Sequence, residues 1–178
     1  MLRSRIYLLI IFLFVMSAAH AQPYWQQGTK TAYGSASTNL EGLASGLTNA
    51  GANICVGYGN LFTDKTAYGI EFCARWAPLT GGYVGRARLQ KLVYGSSVTK
   101  SSVWLGAFVE YEQNLNMTIT GDMFGSVNQG IGVGAQYTYW LTANAGIYFW
   151  PQISRTNGGP SGLWDFQLIA PVGVQVAW

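Results

Sequence analysis

The chain has 178 residues, of which 10% are Asp, Glu, Lys or Arg, 15% are aromatic and 23 are glycine. So little charge beside so many aromatic side chains excludes a disordered chain, and abundant Gly, Tyr and Trp argue against a long helical bundle. The formal net charge is only +3, too weak a field to hold nucleic acid.

At the start, Arg3 and Arg5 precede an apolar run from Ile6 to Val15, and small residues follow as far as Ala19-His20-Ala21. This pattern predicts a secretory signal peptide over 1–21 and a mature domain over 22–178. The apolar run is too short to span a bilayer, and no cysteine follows the cut to carry a lipoprotein anchor. Cleavage would remove Arg3, Arg5 and the only histidine, His20. Eight Lys+Arg would then face seven Asp+Glu, a balance of +1.

The mature part contains no run of 18 apolar residues, and so predicts no transmembrane helix. Its apolar residues alternate instead. Eight strands are predicted at 30–38, 52–62, 66–77, 83–94, 102–113, 127–140, 144–154 and 164–178. In the third, Tyr68, Ile70, Phe72, Ala74 and Trp76 share one face, while Glu71, Cys73 and Arg75 share the other. In the fourth, Tyr83, Ala87 and Leu89 oppose Arg86, Arg88 and Gln90. In the fifth, Val103, Leu105, Ala107, Val109 and Tyr111 oppose Glu110 and Glu112. Ile131, Val133, Ala135, Tyr137 and Tyr139 oppose Gly132, Gly134, Gln136 and Thr138 in the sixth. In the last, Trp164, Phe166, Leu168, Ala170, Val172, Val174, Val176 and Trp178 occupy every second position. Pro171 interrupts that strand and marks a bend, because proline cannot donate to a ladder. Tight connections at 63–65 and 142–144 tend to alternate with long ones at 39–51, 114–126 and 155–163. The short link near Pro78–Gly82 departs from that rhythm.

One wholly apolar face per strand suits either a soluble sandwich core or a barrel that turns that face to lipid. A soluble protein would carry many Lys and Glu on its polar faces, whereas here those positions are mostly Gly, Ala, Ser, Thr and Gln. In lipid every backbone group must be paired internally, so the sheet has to close. Eight tilted strands of about 9–11 residues fit the mature length. Tyr68, Trp76, Tyr83, Trp164 and Trp178 suit interfacial girdles. The predicted fold is an all-β, closed antiparallel up-and-down barrel.

With its leader, strand count, loop pattern and chain end Val172-Gly-Val-Gln-Val-Ala-Trp178, the chain resembles the small outer-membrane β-barrels of Gram-negative bacteria, of the OmpA/OmpX and opacity-protein type. The resemblance implies export through the periplasm to the outer membrane, among its lipids and lipopolysaccharide. It also implies that Val172, Val174, Val176 and Trp178 form the signal read by the barrel-assembly machinery.

A barrel of this size is filled by its own side chains. Parity turns Glu71, Arg75, Arg86, Arg88, Glu110, Glu112 and Asp165 inward, where they could form an ion network, beside bulky Trp104, Phe108, Trp140 and Trp150. A hairpin centred on Asp64 places Cys55 opposite Cys73, both facing inward. Passage through an oxidising compartment then predicts a disulfide; the alternative is two packed thiols. Catalysis by a nucleophile and histidine cannot be assembled in the mature chain, and two opposed cysteines are too few for zinc. No enzyme activity, cofactor or metal is expected. The leading reading is a non-enzymatic outer-membrane barrel with a structural, adhesive or surface-interaction role through its exposed loops, whose external partner the sequence does not name. Two alternatives stay open: a narrow channel for small or apolar solutes, and a secreted soluble β-barrel that binds a lipid-like ligand.

Overall fold

The computed structural model describes residues 26–41, 49–77, 80–95, 99–117, 123–157 and 165–178. The predicted leader and Trp164 lie outside the described residues. Ten antiparallel segments run in order: β1 (Lys30–Glu41), β2 (Asn49–Thr63), β3 (Thr66–Ala77), β4 (Thr80–Tyr94), β5 (Ser101–Met117), β6 (Met123–Trp140), β7 (Ala145–Phe149), β8 (Gln152–Thr156), β9 (Asp165–Ile169) and β10 (Val172–Ala177). β7 and β8 pair successively with β6, and β9 and β10 pair successively with β1. The ten segments therefore make eight staves of one closed barrel.

The chain end forms the seam. β10 pairs with β1 from Thr31↔Ala177 to Ala36↔Val172. The Lys30 amide donates to the Trp178 carbonyl at 2.9 Å, and the Trp178 amide donates back to Lys30 at 3.0 Å. The first stave, whose alternation is the least regular, pairs with β2 along its full length. Neighbours on both sides secure it where its own side chains would not.

Two expected strands are interrupted. The Trp150 amide donates to the Pro171 carbonyl at 2.9 Å, and the Ala135 amide donates to Pro151 at 3.2 Å. Neither proline has an N–H to return. The breaks face each other, flanked by Phe149↔Val172 and Gln152↔Ile169. Elsewhere the ladders run beyond the apolar stretches. β5 and β6 pair as far as Met117↔Met123, and β1 and β2 as far as Glu41↔Asn49. The long links expected at 39–51 and 114–126 therefore shorten to 42–48 and 118–122.

The two ends of the described chain, Gln26 and Trp178, share one end of the barrel with the connections at 64–65 and 141–144 and with the facing ends of β4 and β5. Side chains tie this end together. Asp64 Oδ1 accepts the Gln27 amide at 3.0 Å, and Thr142 Oγ1 accepts the Ala145 amide at 2.8 Å. At the opposite end the ladders finish at Glu41↔Asn49, Ala77↔Thr80, Met117↔Met123 and Thr156↔Asp165.

The apolar face points outward. Ile54, Val56, Ile70, Phe72, Val109, Ile131 and Val174 are all more than half exposed. Tyr68, Trp76, Tyr83 and Trp178 are exposed toward the strand ends, and Phe72 stacks on Tyr83 with ring centroids 5.7 Å apart. Inside, large rings lie against glycines of adjacent staves: Tyr33 over Gly57, Phe108 over Gly132 and Trp150 over Gly134. A side chain at those glycines would occupy the space taken by the ring. Gly132→Ala is accordingly expected to cost about 1–3 kcal/mol, read from urea unfolding in micelles, and less in a Phe108→Leu background. An unchanged unfolding midpoint would contradict this packing.

Candidate functional site

The polar interior is organised by rows of directly opposed residues. Glu71 on β3, Arg86 on β4 and Glu110 on β5 share one row. Arg86 Nη1 donates to Glu71 Oε1 at 2.8 Å, and its Nε donates to Glu110 Oε2 at 2.9 Å. Arg75 on β3 pairs with Glu112 on β5, reaching past the small β4 residues Gly82 and Val84 that lie opposite them. Arg75 also donates to Asn53 and Gln167, each at 3.3 Å, and Asn53 donates to Ser37 at 3.3 Å. Glu110 and Glu112 thus belong to different clusters, each held by its own arginine.

Arg88 departs from the expected ion network. Its row offers Gly69 on one side and Phe108 on the other, with no carboxylate. The guanidinium carbon lies 3.8 Å from the Tyr33 ring centroid and 4.5 Å from that of Trp150. The charge is therefore met by two ring faces. Tyr33 is held in turn by donating its hydroxyl to the Ile70 carbonyl at 2.9 Å. Counting only described side chains, Arg75, Arg86 and Arg88 balance Glu71, Glu110 and Glu112, so the lumen holds no net charge. Asp165 stands opposite Thr156 at the end of β9, and its side chain lies outside the described ones.

Cys55 and Cys73 are directly opposed and joined by a disulfide. The same register pairs Val56 with Phe72 and Tyr58 with Ile70. Cys55, Cys73 and Glu71 bring their ligand-type atoms within 4.8 Å of one another. With the sulfurs bonded together, the Glu71 carboxylate is the main ligand group left, and Arg86 already binds its Oε1.

Toward the termini the interior loses its charge. Gln90 donates to Gln136 at 3.0 Å, and Gln136 donates to Gln175 at 2.9 Å and Thr138 at 3.0 Å. Below them, Trp104 and Trp140 both donate to Ser102 Oγ, at 3.2 and 3.3 Å, and pack with Leu61, Leu92 and Ala177. A void between Arg88, Gln90, Gln136, Gln175 and Trp104 measures about 20 Å³, room for roughly one water. Sequence reasoning missed this amide chain because glutamines on the inward parity are indistinguishable from ordinary filler until register is known. Val172, Val174, Val176 and Trp178 all face outward on the closing stave.

This geometry defines a class: a small eight-stranded barrel with an apolar exterior and a filled polar interior. No family model and no curated protein sequence matches the chain. Solved structures do. Neisserial surface protein A superposes with a TM-score of 0.67 at 12% identity, covering 84% of this chain and 99% of that one. The N-terminal β-barrel domain of Pseudomonas aeruginosa OprF gives 0.64 at 12% identity, covering 85% and 98%. Ail, the attachment invasion locus protein of Yersinia pestis, gives 0.52 at 8% identity, covering 86% and 100%. The chain has the fold of the eight-stranded outer-membrane barrels.

Arg86→Gln leaves two buried carboxylates facing each other and is expected to cost about 3–5 kcal/mol, measured by urea unfolding. Glu110→Gln should cost less, because Arg86 keeps Glu71; the reverse order would contradict the row arrangement. Thiol titration of the denatured protein should find no free thiol before reduction and two after it, and free thiols in the unreduced protein would exclude the disulfide.

Proposed function

We propose that this chain is a non-enzymatic integral protein of a Gram-negative outer membrane, with a structural, adhesive or surface-interaction role carried by the end of the barrel opposite the termini. One observation carries the reading: the distribution of polarity is inverted. Arg75, Arg86, Arg88, Glu71, Glu110 and Glu112 are buried, while Val56, Ile70, Ile131 and Val174 are exposed. Water would make so extensive an apolar surface an aggregation hazard, whereas hydrocarbon requires it. That favours the membrane reading over a soluble lipid-binding barrel.

The leader expected over 1–21 supports export, and the outward Val172, Val174, Val176 and Trp178 support recognition by the barrel-assembly machinery. Outer-membrane lipid and lipopolysaccharide are then the surroundings of the wall. The name attachment invasion locus protein belongs to Ail; the shared fold lends support to a surface-interaction role here. A channel is the weaker reading, because Trp104, Trp140, Phe108 and Trp150 are buried in the lumen.

Cell fractionation with a gel run before and after boiling tests the reading, together with swelling of liposomes containing the protein. The expected result is an outer-membrane protein whose mobility changes on boiling and which leaves the liposomes tight. Release with the soluble periplasm would overturn the membrane location, and solute-driven swelling would make the protein a channel.

A further inference from the structure

The Cys55–Cys73 disulfide lies beyond the reach of reactants in solution. Cys55 is 1% exposed and Cys73 is 0% exposed, although the bond joins only two neighbouring strands. What covers it comes from other parts of the chain. On the same row, Ser35 of β1 stands beside Cys55, and Val84 of β4 stands beside Cys73. Val84 is itself fully buried and packs with both cysteines.

Both directions along the lumen are obstructed as well. Toward the termini, Glu71 Oε1 lies 3.3 Å from Cys73 Sγ and Arg86 Nη1 lies 3.7 Å from it, with Arg86 clamped in turn by Glu110. Beyond them Trp104 and Trp140 fill the interior. On the other side stands Arg75 with Asn53, Glu112 and Gln167. Thiol–disulfide exchange passes through a mixed disulfide, so a second sulfur and the molecule that carries it must come into bonding contact with Cys55 or Cys73. The side chains described around the bond leave no room for that partner. The hairpin alone does, because the turn at Asp64-Lys65 brings together two thiols 18 residues apart without help from β1 or β4.

We propose that the bond is made on the open β2–β3 hairpin, by exchange with a disulfide-bearing oxidant, and is sealed when β1 and β4 pair on either side of it. One cysteine thiolate attacks the oxidant's disulfide, forming a mixed disulfide and expelling one thiolate. The second cysteine then attacks the sulfur of the first, which forms Cys55–Cys73 and expels the other thiolate. Two protons and two electrons pass to the oxidant, which leaves with both its sulfurs as thiols. Oxidation therefore precedes closure, and it fixes the register of β2 on β3 before β1 and β4 are added. A slip of two residues would keep every side chain on its own face, yet it would set Cys55 against Glu71 or Arg75, which the bond forbids. The outer-membrane reading makes the oxidant a periplasmic one; the order of events rests on burial and needs no membrane.

The test starts from the whole protein, reduced and unfolded in urea, and adds glutathione disulfide either before or after folding into detergent micelles. Maleimide mass shifts count the free thiols, and boiling-dependent gel mobility identifies the folded barrel. The bond should form readily in urea and at least about a hundredfold more slowly in a barrel folded while reduced. With dithiothreitol the direction reverses: the oxidised, folded barrel should keep its bond under conditions that reduce the unfolded chain. This second arm decides the matter if the reduced chain does not fold, a failure that would itself require oxidation first. Equal rates in the open and closed states, for oxidation or for reduction, overturn the order. Release of the protein with the soluble periplasm would remove the membrane reading and leave this order standing, whereas rapid reduction of the folded barrel would remove the order alone.

Discussion

Backbone groups that face hydrocarbon have no water to bond, and the rest of this structure depends on that constraint. A sheet in that medium cannot have a free edge, so the last stave must find the first. The reciprocal bonds between Lys30 and Trp178 are where this chain meets the requirement. Closure then fixes the size of the interior. Eight staves enclose a space too narrow for a wide pore, which side chains must fill.

Filling that space with the polar half of each strand raises a second problem, because buried charge is costly unless it is paired. Three solutions appear in sequence along the lumen. Arg75 and Arg86 meet carboxylates, and Arg88 meets the faces of Tyr33 and Trp150. Nearer the termini, Gln90, Gln136 and Gln175 bond to one another and need no charge. The glycines beneath Tyr33, Phe108 and Trp150 make the rings possible, since a ring and a side chain cannot share one place across a rung.

Much of this was legible in the residues. Parity assigned the inward and outward faces because side chains alternate with a period of two. The register of β2 with β3 was also legible, because a tight turn at Asp64 leaves one pairing and brings Cys55 to Cys73. Parity does not fix the register of β4 against β5, whose link spans 95–100. The partner of Arg88 could not be read for that reason, and a two-residue slip separates Phe108 from Glu110. Pro151 was hidden by the alternation around it, although its missing N–H interrupts the stave as surely as that of Pro171. Arg155 falls in the link expected at 155–163, so alternation assigns it no face, whereas β8 runs on to Thr156 and turns it outward.

The central claim concerns what touches the apolar face, and collision measurements with nitroxide labels at Phe72 on β3 and Val174 on β10 test it most directly. The structure predicts that both labels, in reconstituted bilayers, collide freely with dissolved oxygen and hardly at all with a water-soluble paramagnetic complex. The opposite ranking at both positions, or immobile labels shielded from both reagents, would mean that water or packed protein covers this face, and would contradict the account.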